Sequence, residues 1–325
     1  MQLLPSSPEF SWSHSRDRLL EECARAYYWR YYGSHGGWSD VAGAEARLAW
    51  RLKHLTTLHS VLGAAIHDEA RRYAFAVRER NAPPTVESML ERVRATLRAA
   101  CLSSDRAAFL RDPKGRRMLH SIYYDGRYDR GEVEAVAAKI DSCVRHLHTS
   151  PVWERLATLP PEAVRVETND SVDWDGVRVY AAPDLAVLGE DDACEIVDWK
   201  TGRRREEEGA REQLAGYAWF LQRRLGRTFR EGCWTARAVY LQDDEEEEYT
   251  ITRLDLLRAE HRIRESVERM RGLLTDSTAN QPLPREVFSL VHPAFRFRCK
   301  RCQYFGLCET EMALPRPGGA PGSVP

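Results

Sequence analysis

Ala182-Pro-Asp-Leu-Ala-Val-Leu-Gly-Glu-Asp-Asp-Ala-Cys-Glu-Ile-Val-Asp-Trp-Lys-Thr-Gly202 is the stretch on which the reading of this chain turns. Residues 177–188 and 194–200 are β-rich, and Gly-Glu-Asp-Asp at 189–192 supplies turn residues between them. The two runs therefore read as a hairpin that brings Asp184 near Asp198. Side chains alternate along the second strand, so Cys194, Ile196, Asp198 and Lys200 share one face, and Glu195, Val197 and Trp199 the other. An Asp-x-Lys triplet is common by chance. Here its approach is mostly apolar, which puts the charges at the end of a strand that should be buried, where charges need a partner or a metal ion. Two carboxylates and an ammonium converging at one sheet end suit a hard divalent cation with a positive group poised over an attacking water.

Working outward, residues 206–221 are helix-compatible, and Gln213 and Tyr217 lie one turn apart on one face. An amide and a phenol there can hydrogen-bond a phosphate without adding charge, or can simply pack at the edge of the core. Residues 61–73 are also helix-compatible, with Gly63 one turn before His67. A glycine at that spacing permits close approach of another backbone or of a substrate.

The cysteines are a separate signal. Of eight, three fall in Cys299-Lys-Arg-Cys302-Gln-Tyr-Phe-Gly-Leu-Cys308 near the C-terminus. Such clustered thiols in a chain without secretory features point to a metal or cluster, with a fourth ligand elsewhere. Four thiolates suit either tetrahedral zinc or a [4Fe–4S] cluster. Cys101, Cys143, Cys194 and Cys233 are isolated in apolar surroundings and read as small core residues.

Together these motifs resemble the RecB-like branch of the PD-(D/E)XK nucleases, in particular its iron–sulfur members, such as the CRISPR-associated RecB-type exonucleases and the AddB nuclease domain. Pro183-Asp184 and Asp198-x-Lys200 are similar to the two halves of the signature. Gln213-Leu-Ala-Gly-Tyr217 resembles the Gln-x-x-x-Tyr motif, and Gly63-Ala-Ala-Ile-His67 the Gly-x-x-x-His helix. Cys23 lies in Cys23-Ala-Arg-Ala-Tyr-Tyr28, which resembles a Cys-Pro-Arg-x-Tyr-Tyr segment and departs from it at Ala24. The resemblance implies a restriction-endonuclease-like α/β core, a mixed central sheet flanked by helices, with an N-terminal helical subdomain and a C-terminal cysteine cluster. It implies that His67, Asp184, Asp198 and the Trp199 carbonyl bind Mg2+ or Mn2+. Lys200 would position the attacking water, and Gln213 and Tyr217 would hold the neighbouring phosphate. It also implies that Cys23, Cys299, Cys302 and Cys308 hold a [4Fe–4S] cluster that staples the two ends of the chain together. The expected substrate is single-stranded DNA or DNA ends, cleaved to a 5′-phosphate and a 3′-hydroxyl in repair, CRISPR adaptation or antiphage defence. The alternatives are a catalytically silent subunit that holds DNA ends, and a zinc-stabilised interaction protein.

Composition bounds the rest. With 325 residues and a formal net charge of −1, the chain is not coated in DNA-binding charge. Local basic groups, Arg111, Lys114, Arg116, Arg117 and 203–205, are candidate phosphate contacts or solvated faces. No run has the roughly 18 apolar residues of a spanning helix, and residues 1–16 have no apolar core of a signal peptide, so a soluble cytoplasmic protein without membrane contact is expected. Helical patterns cover about 15–32, 40–80, 86–110, 114–124 and 131–149, then 206–225 and 253–274. Strand-like runs at 235–241 and 249–252 flank an acidic run, 243–248, that reads as a solvated hairpin tip. The expected organisation is an N-terminal helix over 1–40, a helical region with an inserted subdomain over 41–160, the nuclease core over 161–275, the three-cysteine segment over 276–313, and a disordered tail over 314–325. The insertion reads as a gate or channel for a single strand. No internal repeat, Walker A motif or helicase signature is present, so ATP-driven unwinding would have to come from a partner such as a helicase or another repair or defence protein.

Overall fold

The computed structural model describes residues 7–166, 170–204 and 209–312; the expected tail, Arg205 and the start of the 206–225 helix lie outside the described residues. The helices are α1 His14–Glu22, α2 Ala24–Tyr28 (continued by a π-helical turn, Trp29–Gly33), α3 Ala44–Leu52, α4 Leu58–Arg78, α5 Val86–Leu102, α6 Arg106–Arg111, α7 His120–Asp125, α8 Arg130–Thr149, α9 Val152–Ala157, α10 Ala210–Leu225, α11 Arg253–Arg271 and α12 Phe305–Met312. The strands are β1 Ser11–Trp12, β2 Leu55–Thr56, β3 Met118–Leu119, β4 Val164–Val166, β5 Asp170–Trp174, β6 Val177–Ala181, β7 Leu185–Leu188, β8 Cys194–Lys200, β9 Trp234–Tyr240, β10 Glu245–Thr250, β11 Leu274–Asp276 and β12 Gln281–Pro282.

The principal sheet has the order β10-β9-β8-β7-β4. It is mixed: β8 pairs antiparallel with β7 and parallel with β9, while β10 and β4 add antiparallel edges. A parallel neighbour cannot be reached by a tight turn, and α10 supplies the crossover from β8 to β9. Helices cover both faces. On one, α4, α5, α8 and α9 pack with Val164, Leu185, Val197 and Trp199 in a single hydrophobic cluster. On the other, α10 and α11 pack on Ala186, Ile196, Ala236 and Ala238. Strand β8 is thus buried on both faces, which is why apolar residues, Cys194, Ile196, Val197 and Trp199, occur on both of its faces. This is the expected mixed α/β architecture. Of the helices between His67 and Asp184, α5, α8 and α9 share the cluster of α4 and the sheet, whereas Phe109 of α6 and Tyr123 of α7 pack with the C-terminal segment.

Three local expectations are corrected. The run 177–188 is two strands, not one: β6 pairs with β1 and β5 in a separate three-stranded sheet, and β7 joins the principal sheet. Pro183 lies between them, where a missing N–H costs nothing to a ladder. The acidic run is largely strand β10 rather than a hairpin tip. Glu246 and Glu248 both pair with Arg237 across the β9–β10 ladder, Glu246 at 3.4 Å, and Glu247 pairs with Arg204 at 2.6 Å. The helix expected over 15–32 breaks at Cys23, which is extended (φ −166°, ψ 107°) and caps both neighbours. Its Sγ accepts from Ala26 N–H at 3.4 Å, and Ala24 takes the first position of α2, where proline is also tolerated.

The N-terminal helices are held by paired charge. Asp17 on α1 is fully buried and accepts from Arg262 Nε at 2.8 Å and from an Arg269 guanidinium nitrogen at 2.9 Å, both on α11. Arg25 on α2, 4% exposed, donates to the Phe288 carbonyl at 2.9 Å and pairs with Glu311 on α12. Asp17→Ala would remove the buried acceptor of two arginines that keep Glu21 and Glu212 as partners, and should cost about 1–3 kcal/mol through the lost charged hydrogen bonds. Glu22→Ala removes only an exposed partner of Arg18 and should cost under about 0.5 kcal/mol. Chemical denaturation of the two variants beside the parent measures both, and equal losses would contradict this account of how α1 is held.

Candidate active site

The β7–β8 register sets the site. Leu185 pairs with Val197 and Ala186 with Ile196, so Asp184, one residue before β7, stands across from Asp198. Asp184 Oδ2 accepts the Trp199 N–H at 2.8 Å, and its Oδ1 lies 2.8 Å from His67 Nδ1. His67 projects from α4 across 117 positions of sequence. A stack of rings fixes that helix against the strand: Tyr73 on α4 stacks on Trp153 at 4.4 Å, and Trp153 on Trp199 at 5.2 Å.

Lys200 Nζ lies 2.9 Å from Asp198 Oδ2 and donates to Gln213 Oε1 at 2.7 Å; Gln213 Nε2 donates to Tyr217 Oη at 2.8 Å. Asp198 Oδ2 is buried with the Lys200 ammonium as its charged neighbour and no other donor. A buried acceptor in that state is available to a cation. Burial, followed by the Asp184 carboxylate, pushes Asp198 up to about 6, against the opposing pull of Lys200 and His67.

His67, Asp184, Asp198, Trp199, Lys200, Gln213 and Tyr217, which the sequence singled out at separate places, all line one cleft of about 580 Å³. His14, Arg18 and Thr201 line it too, and sequence reading missed them. Nothing local marks His14 except Ser13, which caps α1 through the Arg16 N–H. Burial, with Arg262 and Arg18 close by, holds His14 down to about 4, so it faces the cleft as a neutral imidazole. Of the two partners expected to approach Gly63, another backbone or a substrate, the structure does not bring the first. A methyl there would meet only Thr201 Oγ1 at 3.6 Å, an ordinary contact, so no backbone approaches closely. Arg203 and Arg204 face acidic partners, Asp243 at 3.9 Å and Glu247 at 2.6 Å, which turns them from phosphate contacts into ties between β8 and the β9–β10 hairpin.

A family model described as the PD-(D/E)XK nuclease superfamily matches residues 11–309. The chain belongs to that superfamily. Its members are metal-dependent nucleases, and DNA is the substrate the domain implies. No curated protein matches the chain. Among solved structures, the crystal structure of SSO0001 matches at 16% identity over 58% of this chain and 80% of that one, with a TM-score of 0.30. Among the described residues, no helix is long and apolar enough to cross a membrane.

The second group of singled-out residues also comes together. Cys23, Cys299, Cys302 and Cys308 line one small pocket with Ala26, Leu290 and Phe305. Burial pushes Cys302 up to about 12, and the three other thiols around it add to the rise; burial likewise takes Cys308 to about 11. Cys143 and Cys194 are buried core residues and Cys101 and Cys233 are half-buried against the core, as expected. Among the described residues, no group of three or more His, Cys, Asp or Glu side chains is placed so that it could hold a metal ion. Both groups are pocket walls rather than completed coordination spheres.

A cation ligated by Asp198 needs it ionised, so metal binding should weaken as pH falls through about 6. The sign for the metal-free protein is opposite. With its folded value raised from 3.8, Asp198 takes up a proton on folding between 3.8 and about 6, and that contribution to stability is lost as pH rises through the window. Thermal melts with and without Mn2+ should show a stabilisation at pH 7.5 that shrinks at pH 5, worth about 2.7 kcal/mol at a hundredfold excess over Kd. Asp198→Asn should remove most of the Mn2+ effect at both pH values, and a Mn2+ shift that is equal at pH 5 and 7.5 would contradict the assignment.

Proposed function

We propose that this protein is a Mg2+- or Mn2+-dependent deoxyribonuclease of the RecB-like, iron–sulfur-bearing branch, acting as an exonuclease on single-stranded DNA or DNA ends. The observation that carries this reading is the gathering of His67, Asp184, Asp198, Lys200, Gln213 and Tyr217 in one cleft of a PD-(D/E)XK chain. The setting we favour is repair, CRISPR adaptation or antiphage defence, with a helicase or another repair or defence protein as partner.

Two carboxylates, an imidazole and the Trp199 carbonyl form an oxygen-rich donor set suited to a hard divalent ion, and the buried Asp198 Oδ2 fits such a guest. When bound, Mg2+ or Mn2+ supplies charge that polarises the scissile phosphate and makes a water more acidic. The chain's own residues do the rest. Asp184 is oriented by the Trp199 N–H, so the strand backbone itself aims one ligand. Lys200, held between Asp198 and Gln213, holds the attacking water and offsets negative charge that develops on the phosphate. Gln213 and Tyr217 form a linked pair of hydrogen-bonding groups toward the neighbouring phosphate. In-line attack by water breaks the P–O3′ bond and gives a 5′-phosphate and a 3′-hydroxyl, with the proton passing from water to the leaving oxygen.

The four thiols of the second pocket suit a [4Fe–4S] cluster, held as thiolates by Cys23, Cys299, Cys302 and Cys308. Its role here is a staple. Cys23 sits between α1 and α2, and the other three in the C-terminal segment, so the cluster joins chain ends already touching through Arg25 and Glu311.

End-labelled single- and double-stranded DNA incubated with Mn2+ and anaerobically purified protein tests the reading. The parent should cleave, and Lys200→Ala should lose about 10²–10³-fold in rate while retaining DNA binding. Asp198→Ala should lose cleavage altogether. A fully loaded parent that binds DNA ends and cuts nothing would sink the hydrolytic reading in favour of a DNA-end-holding subunit. Cys23→Ala should lose iron and lower the melting temperature; full iron retention in that variant would rule out its place in the cluster, and a colourless, zinc-bearing parent would rule out the cluster itself.

A further inference from the structure

The catalytic cleft does not end at Tyr217. It shares His14, Arg18, Lys200 and Gln213 with a larger cleft of about 660 Å³ that runs along α1. That cleft in turn shares Leu19, Glu22, Arg30 and Gln303 with a third, of about 560 Å³, beside the cysteine segment. The three meet end to end as one groove, with α1 as its common wall.

Charge along the far part is one-sided. Arg30, Lys53, Arg298 and Arg301 line the third cleft, with Glu22 as the single carboxylate, and Glu22 is already paired with Arg18. None of those four cations has an ion-pair partner among the described residues. The whole chain balances 48 basic against 49 acidic residues, so this local excess is not a by-product of composition. The crowding is physical: burial, then Arg30 and Arg16, lower Lys53, and no carboxylate opposes them. Next to this pocket, Phe297 is 68% exposed and Phe295 47%, with the Arg298 guanidinium 5.8 Å and 5.1 Å from their ring centroids. Unpaired cations that share a groove call for a polyanion, and exposed rings beside them call for flat, unstacked partners.

We propose that this groove is a track for a single strand of nucleic acid, running from the catalytic cleft along α1 to the Lys53–Arg298–Arg301 pocket and the Phe295–Phe297 platform. The strand's phosphates lie on the cations and its bases stack on the two phenylalanines. A duplex cannot use the platform in this way, because its bases are already stacked on each other. The proposal rests on the nuclease reading for what the strand is doing there, and on the groove alone for where it lies.

The test measures equilibrium binding of fluorescent oligonucleotides of about 4 and about 16 nucleotides, the range of known single-strand sites, and of a blunt duplex. It uses full-length protein carrying Asp198→Ala to stop turnover. In that background the combined Lys53→Ala, Arg298→Ala and Arg301→Ala variant should bind the longer single strand at least about tenfold more weakly. The slope of log affinity against log salt should fall by about 2, at roughly 0.7 per phosphate contact for three contacts. Phe297→Ala should weaken the longer strand about tenfold with little change in slope. An equal-charge control, Arg94→Ala with Arg98→Ala and Arg258→Ala, should differ from the parent by less than about twofold, and melting temperatures show that each variant folds. Unchanged affinity and slope in the combined variant overturn the track, as does an equal loss on blunt duplex. A parent that binds strands through the groove yet cuts none would defeat the nuclease reading and leave the track standing; cleavage with unaltered strand binding in the variant would do the reverse.

Discussion

Asp198 is 4% exposed on a strand covered by helices on both faces, and the rest of the site follows from keeping a carboxylate there. An isolated charge in such a place would neutralise or unfold its surroundings. Three features oppose that: Lys200 two residues on, His67 arriving from α4, and a buried oxygen with no donor other than Lys200, which a cation can approach. A second carboxylate, Asp184, makes matters worse for a bare site and better for a loaded one. Its repulsion raises Asp198, and the same negative charge attracts a divalent ion. With the proposed divalent ion bound, the pocket would be stabilised, because the charges that repel one another in the bare site would then share a cation.

Holding these groups in position is the work of packing. The Tyr73–Trp153–Trp199 stack runs from the histidine-bearing helix through α9 to the catalytic strand, so His67 and the Trp199 N–H are referred to one rigid column. On the opposite face, α10 carries Gln213 and Tyr217 into the cleft while Leu214, Ala218 and Phe220 anchor it on the sheet. Asp255 joins that helix to α11, through Arg211 at 2.9 and 3.0 Å and through its own capping box with Thr252. Hydrogen bonding to Arg211, and then to Thr252, holds Asp255 down to about 2 against the opposing effect of burial, so this tie is charged at neutral pH.

What the sequence disclosed and what it hid divide along range. The strand that carries Asp198 and Lys200 was legible because double burial leaves four apolar residues, Cys194, Ile196, Val197 and Trp199, among its three charged ones. Gln213 and Tyr217 were legible because their spacing is one helical turn. The acidic run was misread because composition alone favours a solvated tip, and only the fold supplies Arg237 and Arg204 to make it an edge strand. The run 177–188 was read as one strand because propensity does not say which sheet a strand joins. Phe295-Arg-Phe-Arg-Cys-Lys-Arg301 is a basic, aromatic run visible in the sequence and not singled out there, whereas His14, Arg30 and Lys53 carry no local pattern. They belong to elements distant in sequence, and become a surface only when α1, α3 and the C-terminal segment are brought together.

Helix α1 connects the two pockets most directly. His14 at its first position faces the catalytic cleft, and Cys23 at its C-cap faces the thiol pocket, separated by a nine-residue helix of about 14 Å at 1.5 Å per residue. A short helix fixed at both ends would transmit any disturbance at the thiols to the cleft. This one is also pinned in the middle, where buried Asp17 meets Arg262 and Arg269 from α11, and Trp12 just before it donates to Ser266 at 2.9 Å. Those ties act on the cleft side of Cys23. If the four thiols hold the proposed cluster, its loss frees the C-terminal segment and the end of α1 first, and the far end of the proposed strand groove with them. The catalytic carboxylates stay registered on β7 and β8. On the proposed reading, stability and strand capture are coupled to the thiol pocket, while the geometry of the proposed catalytic cleft depends on the sheet.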